Sequence, residues 1–312
     1  MIRHLVLRLL LTVPALWLIL TLVFLLVRVV PGDPAEQMLG EDAPHAEVVK
    51  LRHELGLVDA NGANIPLVAQ YGRFLAGLAR GDLGKSFRFN TPVLSTVLER
   101  YPATLELALA GLLVCAAVGV PAGVISAQRR GQSADRALGF LTLLGLSVPN
   151  FALGPVLILF FSIQLGWLPV SGRGGLLHLV LPAITLGAAL AAILTRMVRS
   201  AMIEELSSDY VRTARAKGLR ESAVLFRHAF RNALIPIITI LGLQFGTLLA
   251  GTIVTETIFS WPGIGRLTVQ AIQARDYPLL QGCILFISFS YVLVNLVTDI
   301  LYAVVDPRIR LQ

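Results

Sequence analysis

Charge is scarce in this chain. Only 14% of its 312 residues are Asp, Glu, Lys or Arg, against roughly 25% in soluble domains. Hydrophobic residues make up 55%, and the mean hydropathy is +0.75. The shortage excludes an ordinary soluble domain and indicates an integral membrane protein. Cysteine is nearly missing. Cys115 and Cys283 each fall inside an apolar run, where a cysteine acts as a small hydrophobe, so no disulfide and no cysteine metal site is expected. The five histidines, His4, His45, His53, His178 and His228, are scattered over separate segments. There is no HExxH, no GxSxG and no complete phosphate loop. Gly84-Lys85-Ser86 ends like a phosphate loop, but Ala79 stands where its first glycine belongs. Gly263 and Gly265 begin a dinucleotide-like pattern that Thr268 interrupts. Neither catalysis nor a metal or cofactor of its own is expected. The net charge of +7 is not gathered with exposed aromatics on a soluble domain, so nucleic acid is not an expected partner.

What is abundant is apolar sequence in long runs. A hydrocarbon core of about 30 Å takes about 20 helical residues, and six runs of that order lie at 9–27, 104–127, 138–161, 178–198, 233–255 and 282–304. The first meets Arg28 and Pro31-Gly32-Asp33-Pro34 instead of a small-residue cleavage site, and so reads as an uncleaved span. With both termini inside, the inner segments carry fifteen basic residues, including Arg3, Arg8, Arg129, Arg130, Arg136, Arg308 and Arg310. The two short outer loops carry three, Arg173, Arg266 and Arg275. This asymmetry predicts both termini in the cytoplasm, the long loop after the first span being largely exempt from the rule.

Three regions follow: residues 1–30 with the first span, a polar region 31–103 outside the membrane, and a core 104–312 of five spans with a cytoplasmic loop at 199–232. In the polar region, Val48, Leu51 and Leu55 predict one short amphipathic helix, and Val68, Tyr71, Leu75 and Leu78 another. Gly119 with Gly123, and Gly242 with Gly246, have the spacing that lets helix backbones approach closely in lipid. Pro121, Pro149, Pro155 and Pro182 lie in or near spans, where kinks are tolerated.

The stretch from Glu204 to Pro236 is the longest polar and basic run between two spans. Leu206, Tyr210 and Ala214, then Ala223, Phe226 and Phe230, recur at helical spacing on either side of Gly218, which predicts two short helices with a break. Arg212, Arg215, Lys217, Arg220, Arg227, His228 and Arg231 suit a cytosolic surface. They serve either to fix topology or to present a docking surface.

Tyr210-Val211-Arg212-Thr213-Ala214-Arg215-Ala216-Lys217-Gly218-Leu219, followed by Arg231-Asn232-Ala233-Leu234-Ile235-Pro236, resembles the cytoplasmic loop of binding-protein-dependent ABC importer permeases. Arg212-Thr213-Ala214 stands where the superfamily has Glu-Ala-Ala, a departure similar to the B-type subunit of its dipeptide, oligopeptide and nickel branch. Pro31-Gly32-Asp33-Pro34, Leu55-Gly56-Leu57, Gln70-Tyr71, Gly81-Asp82-Leu83-Gly84 and Pro102-Ala103-Thr104-Leu105-Glu106-Leu107 resemble that branch in order and spacing.

The resemblance implies an all-α membrane protein with six transmembrane helices in the type I ABC importer permease (MetI-like) fold, with a small extracytoplasmic cap between helices 1 and 2. It implies residence in the bacterial inner membrane as a multi-pass protein, with a homologous second permease, two ATP-binding subunits and an extracytoplasmic substrate-binding protein as partners. ATP and Mg would be used by the partner ATPases, and the cargo would be a dipeptide or oligopeptide, or a nickel chelate or glutathione. Arg212, Thr213, Ala214, Arg215, Ala216, Lys217, Gly218, Leu219 and Arg220 would couple to the ATPases. The outer loop bearing Trp261, Pro262, Gly263, Asp276 and Tyr277 would face the binding protein, with Trp261 and Tyr277 also expected as interfacial anchors.

For a substrate path, Gln244, Thr247, Thr252 and Asn295 in mid-span and Glu256 at a span edge are the candidates. Each can equally serve as an interhelical hydrogen bond. Glu106, Asp299 and Arg196 also stand near span edges, where pairing or snorkelling competes with function. An ion-driven secondary transporter would place carboxylates in mid-span and show inverted repeats; neither is read here.

Overall fold

Proline and glycine punctuate a helical chain. The computed structural model describes residues 2–29, 33–40, 44–59 and 62–305; Pro31, Gly32, Arg308 and Arg310 lie outside them. Helix α1 (Ile2–Val29) carries the first apolar run. Asp33 then caps α2 (Pro34–Leu39), its Oδ1 accepting the Ala35 N–H at 2.8 Å with Pro34 at the first helical position. Helices α3 (His45–Glu54) and α4 (Leu67–Ala79) precede α5 (Val93–Gln128), which at 36 residues extends beyond the predicted span at its N-terminal end. Next come α6 (Ser133–Ser147), α7 (Asn150–Leu157) and α8 (Leu176–Leu206). Helices α9 (Asp209–Ala216) and α10 (Glu221–Ala223) lie in the polar loop after α8, and α11 (Phe230–Ile258), α12 (Ile264–Gln273) and α13 (Tyr277–Val305) follow.

Among the described residues four helices are long and apolar enough to cross a membrane. The predicted run 138–161 is not one straight helix. It breaks between α6 and α7 with a bend of 101°, because Val148, preceding Pro149, leaves the helical region at φ −90°, ψ 112°. Counted as one span, the bent pair makes a fifth, and the first predicted run falls on α1, whose described apolar stretch is Thr12–Leu25. After Leu157 the helix widens into π-type turns through Gln164.

The chain divides into two compact units. The first comprises Met1–Leu9, Thr104–Trp261 and Ser290–Gln312. Its apolar cluster runs from Cys115 and Val124 through Leu194, Val198 and Met202 to Val224, Leu225 and Ile237. Glycines bring helices together as the spacing predicts. A β-carbon at Gly123 would lie 2.5 Å from Val198 Cβ, and one at Gly242 would lie 2.4 Å from Thr298 Cγ2. Phe140, Leu141, Phe151, Phe160 and Ile163 are exposed on α6, α7 and the π turns, as suits side chains that face lipid.

The second unit comprises Leu10–Ala103 and Pro262–Phe289. Ala35, Met38, Val48 and Leu51 form one cluster, with Leu55 and Tyr277 packed against it, so α3 buries its predicted face. Helix α4 does so in part: Tyr71, Leu75 and Leu78 of the predicted face are half-buried, whereas Val68 is 84% exposed and the neighbouring Gln70 is buried. Tyr71 and, beside that face, Phe74 pack on Phe24 at centroid distances of 5.0 and 5.6 Å. A second cluster joins Val93 and Val97 to Ile264, Leu267, Ala271, Leu279 and Cys283.

Candidate functional site

The loop between α8 and α11 is built from one short helix and a glycine turn. Ser207 and Ser208 end α8 and lead into α9, where Val211 and Ala214 are buried in the apolar cluster beside Met202, Val224 and Leu225. Burial of these two small residues fixes which face of α9 looks outward. That outward face carries Arg212, Thr213, Arg215 and Ala216, followed by Lys217, Gly218, Leu219 and Arg220, all exposed.

Helix α9 ends in a Schellman turn. Gly218 adopts φ +74°, its N–H reaches Arg215 O at 2.9 Å, and the Leu219 N–H reaches Ala214 O at 3.4 Å. Arg215 then clasps Glu221 through two bonds, Nε to Oε2 at 3.2 Å and Nη2 to Oε1 at 2.6 Å, and the hydrogen bond raises the Arg215 pKa further. At the other end Tyr210 donates to Glu205. Burial first, and then that bond, push its phenol up, so it stays neutral at physiological pH.

The predicted break at Gly218 is present, but the second helix is not short. From Glu221 it continues through a π-helical segment, Val224–Ala229, into α11. A helical rod therefore joins the loop directly to a membrane span, and π turns of this kind are frequent at functional sites. A second connection went unread in the sequence. Asp135, in the first turn of α6, accepts Ser126 Oγ at 2.5 Å and the Gly131 N–H at 2.9 Å, and pairs with Arg199 Nε and Nη2 at 2.8 and 2.9 Å. It ties the α5–α6 turn to α8 seven residues before that helix ends.

The candidate path residues fall in different places. Gln244, Thr252 and Glu256 recur four or eight residues apart on one face of α11 and are buried. Cys115 donates to Gln244 Oε1 at 3.2 Å, and Thr104 Oγ1 donates to Glu256 Oε1 at 2.7 Å. Gln244 and Glu256 therefore make the interhelical bonds of the alternative reading, because polar atoms away from water need partners, while Thr252 Oγ1 donates to Leu249 O of its own helix at 3.2 Å. The Gln244 Nε2 is buried without a partner. Thr247 is exposed, and Asn295 is half-buried beside Gly246. Glu106, at a span edge, pairs with Arg173 through Nε and Nη2 at 2.9 and 2.5 Å.

The outer-loop residues require a correction. Trp261 is fully buried, with the Arg173 guanidinium 5.9 Å from its ring centre, so it is no interfacial anchor. Asp276 is also fully buried. Its carboxylate accepts Ser86 Oγ at 2.6 Å, the Arg88 N–H at 3.0 Å and the Leu279 N–H at 3.1 Å. It is a structural tie, and the Ser86 of the false phosphate loop serves that tie. Tyr277 packs on the cap cluster, and Gly263 is buried, leaving Pro262 partly open. The exposed residues of this stretch are Ile272, Gln273 and Arg275.

Comparison with known proteins places the chain. Residues 119–311 match the binding-protein-dependent transport system inner membrane component, and residues 1–108 match the N-terminal domain of such membrane components. The glutathione transport system permease protein GsiC of Pectobacterium atrosepticum is 43% identical over 310 residues, covering 99% of each chain. The di/tripeptide transport system permease protein DppB of Pseudomonas aeruginosa is 46% identical over 337 residues, covering 98% of each. An inward-facing structure of the MetNI methionine ABC transporter has a chain that matches with a TM-score of 0.60 at 17% identity, over 68% of this chain and 97% of that one, which supports the fold. With both family profiles spanning nearly its whole length, the chain belongs to the binding-protein-dependent transport system inner membrane components, the permease subunits of ABC importers.

Proposed function

We propose that this permease imports dipeptides or oligopeptides, pairing with a homologous second permease, two ATP-binding subunits and an extracytoplasmic binding protein. The observation that carries the coupling role is the exposed segment 212–220, set out from the buried Val211 and Ala214 and continuous with the rod into α11. ATP-driven closure of the partner subunits would push this segment, and α8 and α11 would transmit the motion. ATP and Mg act on those partners; the chain contributes the path and no catalysis. Both termini lie in the cytoplasm on the charge asymmetry. Regions 1–30, 31–103 and 104–312 then serve as first span, outer cap and permease core. Thr247, exposed on α11, is the candidate path residue with an open side chain.

Glutathione is a second reading with its own support, since a relative named for glutathione transport is 43% identical over the full length. A nickel chelate has no comparable support among these relatives. Family membership sets aside an ion-driven transporter.

The test is to isolate the complex by a tag on this chain and assay its ATPase with its binding protein and either dialanine or glutathione. Recovery of a second permease and two ATP-binding subunits, with stimulation by dialanine, is the expected result. Stimulation by glutathione alone would overturn the peptide reading, and a chain recovered without partners would overturn the assembly.

A further inference from the structure

A group of arginines in the first unit outnumbers the acids around it. Residues 125–140 hold Arg129, Arg130 and Arg136 but a single acid, Asp135, and residues 190–203 of α8 hold Arg196 and Arg199 and no acid. Asp135 is already satisfied, because its two oxygens take Arg199, the Ser126 hydroxyl and the Gly131 N–H. Arg129, Arg130, Arg136 and Arg196 are exposed, and none of them makes an ion pair among the described residues. Like charges gathered this way repel one another unless an anion joins them.

The bonds of Asp135 keep this group together. They clasp Arg199 to the first turn of α6, where Arg136 is the next residue, and Arg196 stands one turn back along α8. The turn itself is closed by the Gln132 N–H on Arg129 O at 3.0 Å and by the Gly131 N–H on Asp135, which holds Arg129 and Arg130 beside the clasp. From each arginine runs a stripe of exposed apolar side chains at helical spacing. Val118 and Ile125 precede Arg129 on α5, Phe140 and Leu143 follow Arg136 on α6, and Ile193 and Met197 accompany Arg196 on α8. An arginine at the end of such a stripe reaches headgroup level while its neighbours lie against acyl chains. A water-soluble partner would meet the arginines and leave the stripes uncovered. Topology requires only that basic residues stay on one side of the membrane, and not that they gather at one turn.

We propose that the α5–α6 turn binds the headgroup of an anionic phospholipid, with Arg129, Arg130 and Arg136 on its phosphate and the apolar stripes against its acyl chains. The guanidinium fork matches phosphate oxygens in two bonds at once, and basic clusters beside a span attract anionic lipid. A bound lipid would brace the turn that Asp135 ties to α8. The proposal stands apart from the choice of cargo.

The experiment follows amide hydrogen exchange across residues 129–136 of the whole complex in nanodiscs. Adding phosphatidylglycerol to phosphatidylcholine discs should slow exchange there about fivefold or more, the gain expected from even one basic residue at an anionic surface. Replacing Arg129, Arg130 and Arg136 together by Gln should abolish that protection, and replacing them by Lys, which keeps the charge, should retain part of it. Unchanged exchange in α12 would show that the variants are folded, and the comparison of lipids in the unaltered chain decides the matter if they are not. The variant Arg80→Gln with Lys85→Gln, which removes charge from the second unit, should keep the protection. Equal exchange in the two kinds of disc, or protection that survives in the Gln variant, would overturn the proposal. So would protection by inorganic phosphate in phosphatidylcholine discs, since a free anion would then be the occupant. Full protection already present in phosphatidylcholine alone would overturn it as well, by pointing to an ATP-binding subunit seated on the turn.

Discussion

Gly218 and Asp276 show how much depends on single positions. At φ +74° Gly218 occupies a left-handed conformation that proline cannot reach, and its N–H closes the turn on Arg215 O. Gly218→Pro should therefore abolish ATP-linked uptake while the protein still inserts, read by uptake into proteoliposomes beside membrane abundance. Normal uptake would remove the turn from the coupling role. Asp276→Ala deletes a buried acceptor of three bonds, leaving the Ser86 hydroxyl and two N–H groups unmatched. A cost of about 3 kcal/mol is expected, seen as a lower unfolding temperature of the purified complex. The role of Asp276 was not legible in the sequence, because its partner Ser86 lies 190 positions away. Trp261 was misread for a similar reason: an aromatic beside a span suggests an interface, and only the folded chain shows the ring covered.

Among the elements, those set by local pattern were legible and those set by tertiary contacts were not. Helix α9, its break at Gly218 and the close glycine contacts follow from spacing and from the conformational range of glycine. The bend at Pro149 was marked by a proline, but its size of 101° was not. Helix α4 turned its predicted face inward only in part: Tyr71 meets Phe24, far back in the chain, while Val68 stays exposed. At the α5–α8 crossing there is no room for a side chain: a β-carbon at Gly123 would meet Val198 Cβ at 2.5 Å and the Thr195 carbonyl at 2.8 Å. Gly123→Leu should drive these helices apart at a cost of about 3 kcal/mol or more, lowering the yield of assembled complex in size-exclusion chromatography. The same substitution at Gly139, where nothing lies within 4 Å of the added carbon, should be tolerated.

For the molecule as a whole, function follows from which surfaces face which compartment. The native cysteines are both buried, so introduced ones can report sidedness against a quiet background. Thr213→Cys should react with an impermeant maleimide only from the cytoplasmic side, and Val68→Cys only from the outside. Reaction of both from one side would refute the topology. The central claim is that segment 212–220 docks on an ATP-binding subunit, and the most direct measurement is site-specific crosslinking in assembled membranes. Lys217→Cys, at an exposed position just past α9, should form an adduct with the ATP-binding subunit whose yield changes on adding ATP. Full uptake by that variant with no adduct to the subunit, from this position or from Thr213→Cys, would contradict the account.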